Sequence, residues 1–277
     1  MTVAEALAAA RALGVARLDA QLLLARLLAR PRAWLLAHDD APLAAEQAAA
    51  YRQLLQRRAA GEPLAYLVGE REFHGLSLQV TPAVLVPRPD TETLVDWAME
   101  LLAPGGPLAA VPAPQVLDLG TGSGAIALAL KHRCPRAVVQ ALDASEAALA
   151  VARDNARRLQ LDVSFVHSDW WGSVPPHSLD LAVSNPPYIA ESDPHLAELT
   201  HEPLAALTPG GDGLGALERL IAGAPAHLRA PGWLLLEHGH DQGAAVRKRL
   251  VAQGFTNVST RLDIEGRERC SGGCWPV

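Results

Sequence analysis

From Gln115 onward the chain alternates short apolar runs with amphipathic stretches, and this alternation narrows the fold more than any other feature. Val116–Leu119, Ala137–Leu142, Val163–Val166, Leu179–Val183 and Trp233–Leu236 read as buried strands. Ala125–Lys131, Glu146–Leu159, Leu217–Leu228 and Gln242–Gln253 read as the helices between them. A strand, a helix and a second strand in succession make a βαβ unit, and a series of such units makes a doubly wound, Rossmann-like parallel sheet. The expected fold class is therefore α/β. Ligands in such sheets bind outside the carboxyl ends of the strands, so residues that carry chemistry are expected just after them.

The residues before this region read differently. Thr2-Val3-Ala4-Glu5 has the form of a capping box, and the helix it opens stops near Leu13 and Gly14. A second apolar stripe comprises Leu18, Leu22, Leu23, Leu27 and Leu28, and a third helix follows Pro42, carries Tyr51, Leu54 and Leu55, and ends at Gly61. Short helices joined by Pro- and Gly-marked turns predict a small helical bundle. At Arg71 the pattern changes. Phe73, Leu76, Leu78 and Val80 alternate around Gly75 as a hairpin would. Pro87 to Asp90 predicts a stiff extended segment, because proline fixes φ and keeps its predecessor out of the helical region. Asp90 or Thr91 is expected to cap the helix that holds Leu94, Val95, Ala98, Leu101 and Leu102. The expected layout is a helical domain over 1–70, a hairpin and linker over 71–90, and an α/β domain over 91–277. The length of 277 residues leaves room for both at roughly 100–200 residues per domain.

Composition removes several alternatives. With 49% hydrophobic residues and a net charge of −6, the chain is neither disordered nor fibrous. The cysteines, Cys134, Cys270 and Cys274, are odd in number and scattered, which fits a reducing compartment. No apolar run reaches the roughly 18 residues of a membrane span, so no membrane association and a cytoplasmic location are expected. Residues 1–75 carry 9 basic and 8 acidic groups, whereas residues 76–277 carry 15 and 22. An acidic second part is a poor match for a phosphate backbone, so no direct nucleic-acid contact is expected.

Two motifs carry the chemistry. Asp118-Leu119-Gly120-Thr121-Gly122-Ser123-Gly124 closes the first strand and opens a helix, and Asp143 ends the next strand, 19 residues after Gly124. Glycines there let the backbone turn tightly against a ligand, and a carboxylate in that place can hold two ribose hydroxyls. A nucleoside site follows, although the spacing also fits a dinucleotide fingerprint. Asn185-Pro186-Pro187-Tyr188 follows the strand ending at Val183. The two prolines remove two N–H donors and leave carbonyl acceptors, Asn185 adds an amide oxygen, and Tyr188 adds an aromatic face. Such a site suits a planar –NH2 group whose lone pair is delocalised and which must be held against an electrophile.

Together these motifs resemble the amino-methyltransferases that use S-adenosyl-L-methionine, and nearly the whole chain is similar to the release factor glutamine methyltransferases. The segments that carry the resemblance are Val86-Pro87-Arg88-Pro89-Asp90-Thr91-Glu92, Leu117 through Ala129, Ser168-Asp169-Trp170, Ser184 through Ile189, Glu202-Pro203-Leu204 and Leu236-Glu237-His238-Gly239. The resemblance implies a class I methyltransferase sheet, S-adenosylmethionine-binding, over 91–277 and a substrate-docking role for the helical domain over 1–70. Gly120, Thr121, Gly122, Ser123 and Gly124 would wrap the methionine part of the cofactor, Asp143 would bind its ribose, and Asp169 and Trp170 would meet the adenine. Asn185 would lie against the cofactor as well. Asn185 and the Pro186 carbonyl would hold the substrate amide, with Pro187 and Tyr188 beside it. The implied substrate is the glutamine of the Gly-Gly-Gln loop in bacterial class-1 peptide release factors. The implied products are N5-methylglutamine and S-adenosyl-L-homocysteine, and the implied consequence is modulation of translation termination. A release factor domain that works beside ribosomal RNA should be basic, which suits the acidic 76–277 region.

Other residues carry less. His195, His201 and Arg247-Lys248-Arg249 read as solvated, and His238 reads as either a pocket or a loop residue. Arg88 reads as a bridge to the cofactor region or as the partner of an acid, and Glu202-Pro203 as a lid or a turn. No His/Cys cluster has metal-ligand spacing. The family's terminal Arg-Val-x-x-Gly-Arg-Trp has Cys270 and Cys274 in place of the Val and the second Arg, and the segment reads as an edge strand. Asn-Pro-Pro-Tyr serves nucleobase amino groups equally well, so a nucleic-acid methyltransferase stays open at this point, as do a non-catalytic adaptor and, more distantly, a dehydrogenase.

Overall fold

The capping box at Thr2 forms in both directions: the Glu5 N–H donates to Thr2 Oγ1 at 3.2 Å and the Thr2 N–H to Glu5 Oε2 at 2.8 Å. It opens α1 (Val3–Ala12), followed by α2 (Arg17–Leu28), α3 (Arg32–Ala37), α4 (Ala45–Ala59) and α5 (Leu64–Val68). The two shortest, α3 and α5, escape the sequence reading. Pro31 and Pro63 sit at their N-caps, where the fixed φ of proline is suited to a helix start. The stripe on α2 is turned from the expected face. Leu23 and Leu24 are fully buried while Leu18 is 50% exposed. Tyr51 of α4 donates its hydroxyl to the Ala20 carbonyl at 3.0 Å inside this core. The computed structural model describes residues 1–276, and contacts divide the chain into Met1–Glu70 and Arg71–Val277.

The second unit begins with the hairpin of β1 (Glu70–Phe73) and β2 (Leu76–Gln79), and residues 71–90 fall within this unit. After it come α6 (Glu92–Leu102), β3 (Gln115–Leu119), α7 (Ala125–Arg133), β4 (Val138–Asp143), α8 (Glu146–Leu159), β5 (Val163–His167) and β6 (Leu179–Ser184). α9 (Gly215–His227), β7 (Leu228–Glu237), α10 (Gly243–Gln253), β8 (Thr256–Leu262) and β9 (Glu268–Trp275) complete it. The strand order is β5-β4-β3-β6-β7-β9-β8. β3, β4, β5, β6 and β7 are parallel, and β9 and β8 are antiparallel, so the sheet is mixed where sequence predicts a parallel one.

Side chains alternate across the sheet. Val116, Leu181, Val183 and Leu235 face the layer of α6 and α7, while Leu117, Leu119, Ala182 and Leu234 face that of α9 and α10. The final strand, expected at an edge, is interior: β9 lies between β7 and β8, and Cys270 to Cys274 are buried. Small residues permit this. A Cβ on Gly272 would lie 2.5 Å from the Leu234 carbonyl oxygen.

Two buried polar groups brace the loop after β3. Asp118, fully buried, accepts through Oδ2 from the Thr121 hydroxyl at 2.6 Å and from the Ala127 N–H at 3.2 Å. Asn155 of α8 donates to the Ser123 carbonyl at 2.9 Å and exchanges bonds with the Gln79 backbone at 2.7 and 3.0 Å, joining the hairpin to the loop. Asn155→Ala leaves buried backbone groups unpaired and is expected to cost about 1–3 kcal/mol, read as a lower denaturation midpoint. Burial raises the Asp118 carboxyl from 3.8 to about 7. Its folded-state proton is held more tightly than in the unfolded chain. The stability from this group is therefore full below pH 3.8 and lost as pH rises through about 7. Asp118→Asn keeps an acceptor for both donors, and its Tm is expected to fall less than the wild type's between about pH 5 and 8.

Candidate active site

The cavity of the second unit measures about 360 Å³ and opens where β3 and β6 part. That size lies within the roughly 300–1,000 Å³ of small-molecule sites. β3 supplies its floor through Gly120 to Ser123, β4 supplies Asp143, and the segment after β6 supplies Asn185 and Pro187.

The loop is held by its own backbone. Gly120 and Thr121 N–H both donate to the Leu142 carbonyl at 2.9 Å, and Gly124 N–H to the Thr121 carbonyl at 2.9 Å. Gly122 N–H donates to Asp143 Oδ2 at 2.9 Å, while Ser145 N–H donates to Asp143 Oδ1 at 2.9 Å. The Asp143 carboxylate is thus fixed in orientation with lone pairs to spare. A loop that spends these N–H groups internally has few left for a pyrophosphate. Arg88, the cation on the cavity wall, is paired with Glu202. Both facts disfavour the dinucleotide reading and favour an uncharged or cationic nucleoside. Glycine is needed here for φ, which is +75° at Gly120 and +85° at Gly124, and at Gly124 for space as well, since a Cβ there would lie 3.0 Å from Leu128 and 3.2 Å from Ala152.

Asp169 and Trp170 line the same cavity, Asp169 being solvent-facing and 3.6 Å from Arg219. Asn185 donates from Nδ2 to Thr91 Oγ1 at 3.1 Å. Its Oδ1 takes no hydrogen bond among the described residues. Gly120, Thr121, Gly122, Ser123, Asp143, Asp169, Trp170, Asn185 and Pro187 are thereby brought together. Gly124, Pro186 and Tyr188 are not on the wall. Gly124 starts α7, and Pro186 is buried. The phenol of Tyr188 needs a partner once enclosed and donates to Glu237 Oε1 at 3.1 Å. Burial and the neighbouring Glu237 carboxylate push the Tyr188 hydroxyl far up.

Several residues that shape the site carry no role in the sequence reading. Glu237 ends β7, is 1% exposed, and is raised by burial to about 7, with Thr91, Tyr188 and Arg269 acting against that rise. Asp90 does not cap α6. Its carboxylate sits 3.1 Å from Arg269, which also holds Asp263 at 3.0 Å, while Pro89–Thr91 forms a 3-10 turn. Thr91 makes no capping bond either; its hydroxyl accepts from Asn185 Nδ2 instead. Asp118, Thr91 and Glu237 all stand inside quoted motifs, and that is the signal by which they were open to being found.

The remaining candidates resolve simply. Glu202 is buried and accepts from the Val86 N–H at 2.9 Å, so that Pro203, Ala205 and Ala206 close over the cavity. His195 is exposed on Asp193. His238 is buried away from the cavity, between Ser271 Oγ at 2.7 Å and the Gly239 carbonyl at 2.8 Å. Arg247 and Arg249 are not a free face, being paired with Glu268 and Glu218.

Residues 2–69 match the PrmC N-terminal domain family and residues 91–214 the Methyltransferase small domain family. The chain is 51% identical to the release factor glutamine methyltransferase of Bordetella pertussis, with 94% of this chain and 95% of that one aligned. It is 48% identical to that of Xylella fastidiosa strain Temecula1, with 98% of each aligned. A methyltransferase crystal structure from Pyrococcus furiosus shares the fold at a TM-score of 0.55 and 17% identity, covering 73% of this chain and 90% of the other. Full-length identity at this level, with the second unit carrying the methyltransferase fold, leaves one conclusion: the chain belongs to the release factor glutamine methyltransferase family.

Proposed function

We propose that this protein transfers a methyl group from S-adenosyl-L-methionine to the side-chain amide nitrogen of the glutamine in the Gly-Gly-Gln loop of bacterial class-1 release factors. It would act in the cytoplasm and so modulate termination, with residues 1–70 as the docking part. The observation that carries the reading is Asn185. It stands on the same cavity as the β3 glycine loop, with its N–H2 end tied to Thr91 and its oxygen without a hydrogen bond among the described residues.

The cavity residues fit the cofactor. Asp143 is a fixed acceptor for ribose hydroxyls, and Trp170, beside Gly120 on the cavity wall, offers a face for a flat base. Asp143 and Asp169 also make the wall acidic, which suits a cation. When bound, S-adenosyl-L-methionine supplies a methyl group already activated on a sulfonium. What remains for the chain is to bind, orient and shield. An amide nitrogen is a weak nucleophile, so alignment is the main contribution a protein can make to its reactivity. Asn185 Oδ1 takes one N–H of the substrate amide, which favours the rotamer that faces the methyl. As positive charge builds on nitrogen that hydrogen bond strengthens, and this lowers the barrier rather than only the ground state. Glu202, held by the Val86 N–H, fixes the segment whose Pro203, Ala205 and Ala206 line the cavity.

Purified protein, a release factor and methyl-labelled cofactor are expected to give label on the glutamine of the Gly-Gly-Gln peptide by mass spectrometry. No label there would overturn the reading. Asn185→Ala is expected to lower kcat by about 100-fold or more, the scale of losing one positioned polar group, while cofactor Kd stays within about twofold. Unchanged turnover in that variant would remove Asn185 from the mechanism.

A further inference from the structure

The segment after β6 offers little backbone to hold it by. Pro186 and Pro187 carry no N–H, and Asn185 to Ala190 run outside any helix or strand. Groups from other loops supply the order. Thr91 Oγ1 accepts from Asn185 Nδ2 at 3.1 Å, and Glu237 Oε1 accepts from the Tyr188 hydroxyl at 3.1 Å. The backbone of the motif is gripped by Gln242, at the start of α10, whose Nε2 donates to the Tyr188 carbonyl at 3.0 Å.

A carboxamide can be turned end for end without changing its shape, yet both partners of this one are main-chain groups with fixed roles. The Gly239 N–H can only donate, and it donates to Gln242 Oε1 at 2.9 Å. The Tyr188 carbonyl can only accept, so Gln242 has one orientation. Its own backbone is equally settled. The Gln242 N–H donates to the Gly239 carbonyl at 2.9 Å, and the Gln242 carbonyl accepts from the Val246 N–H at 3.0 Å. From another side Gly213, at φ +82°, lies against the same place: a Cβ there would be 2.3 Å from the Tyr188 carbonyl oxygen and 3.1 Å from Gln242 Nε2. Gln242 touches none of the cavity, whose wall on this side is Asn185 and Pro187.

We propose that Gln242 is a positioning residue for methyl transfer: by tying the Tyr188 carbonyl to the turn after β7, it holds Asn185-Pro186-Pro187-Tyr188 in register with the cavity. The inference rests on the proposed activity. Two prolines with fixed φ make the motif stiff, so a shift at Tyr188 is carried to Asn185. Transfer to a weak nucleophile is sensitive to displacements of about 1 Å, and losing the tether therefore shows in kcat. The cofactor residues on β3 and β4 are held by other bonds and keep their affinity.

Two substitutions in the full chain separate the two bonds. Gln242→Glu keeps the length and the acceptor for Gly239, but an ionised carboxylate has no hydrogen for the Tyr188 carbonyl. With a release factor as substrate it is expected to lower kcat per folded molecule about tenfold, the equivalent of one hydrogen bond, while cofactor Kd stays within about twofold. Gln242→Lys keeps a donor for Tyr188 and gives up the Gly239 bond, and is expected to recover kcat to within about threefold of the wild type. A role confined to fastening the turn after β7 predicts the reverse order of the two. Gln242→Met and Gln242→Arg replace them if either does not fold, with the same expectations. A folded Gln242→Glu or Gln242→Met with wild-type kcat overturns the inference. So does a folded Gln242→Lys or Gln242→Arg impaired as severely as Gln242→Glu. Failure of the wild type to methylate the release factor overturns instead the activity on which the inference rests.

Discussion

At the carboxyl ends of β3 and β6 the strands stop pairing, and the Ser184 hydroxyl donates to the Leu119 carbonyl at 2.6 Å in place of the next ladder bond. From this pair β4 and β5 lie to one side and β7 to the other, so the two loops that leave it diverge. A crevice at such a reversal of strand order is a consequence of right-handed crossovers in a twisted parallel sheet. Everything the site needs is attached to its rim: the glycine loop on β3, Asp143 on β4, and Asn185 on β6. The sheet fixes where those groups start, and hydrogen bonds from outside the cavity fix how they point.

That second level of order is built from buried polar groups, each with a named partner. Asp118 holds Thr121 and the first turn of α7, Asn155 holds Ser123, and Asp143 is held by two backbone N–H groups. Thr91, Glu237, Tyr188 and Arg269 do the same for the Asn185 side. Burying such groups is costly, and the cost is offset only where the partners are complete. Glu237 Oε2 and Asp118 Oδ1 are buried without partners, and both carboxyls are correspondingly pushed up to about 7.

The alternation of strands and helices, the capping box at Thr2 and the hairpin turn at Gly75 were readable because each depends on residues close in sequence. The direction and place of β9 were not, since nothing in Cys270 to Cys274 states that Leu234 lies opposite Gly273. The face of α2 was misread because Leu18 and Leu22 are as apolar as Leu23 and Leu24, and only the packing partner tells them apart. At the site, Asn185 and Asp143 were legible through motifs at strand ends. Thr91 and Glu237 were not, because Thr91 and Asn185 stand 94 positions apart and a capping role for Thr91 satisfied every local rule. Tyr188 was expected beside the substrate amide, and its hydroxyl turns to Glu237 instead.

The central claim is that the free oxygen of Asn185 meets the substrate nitrogen across the switch point. A crystal structure of the protein with S-adenosyl-L-homocysteine and a Gly-Gly-Gln release factor domain tests it directly. The account expects the glutamine nitrogen within about 2.7–3.2 Å of Asn185 Oδ1, on the side facing the cofactor sulfur. A glutamine bound elsewhere, or that corner filled by the chain's own side chains, would contradict it.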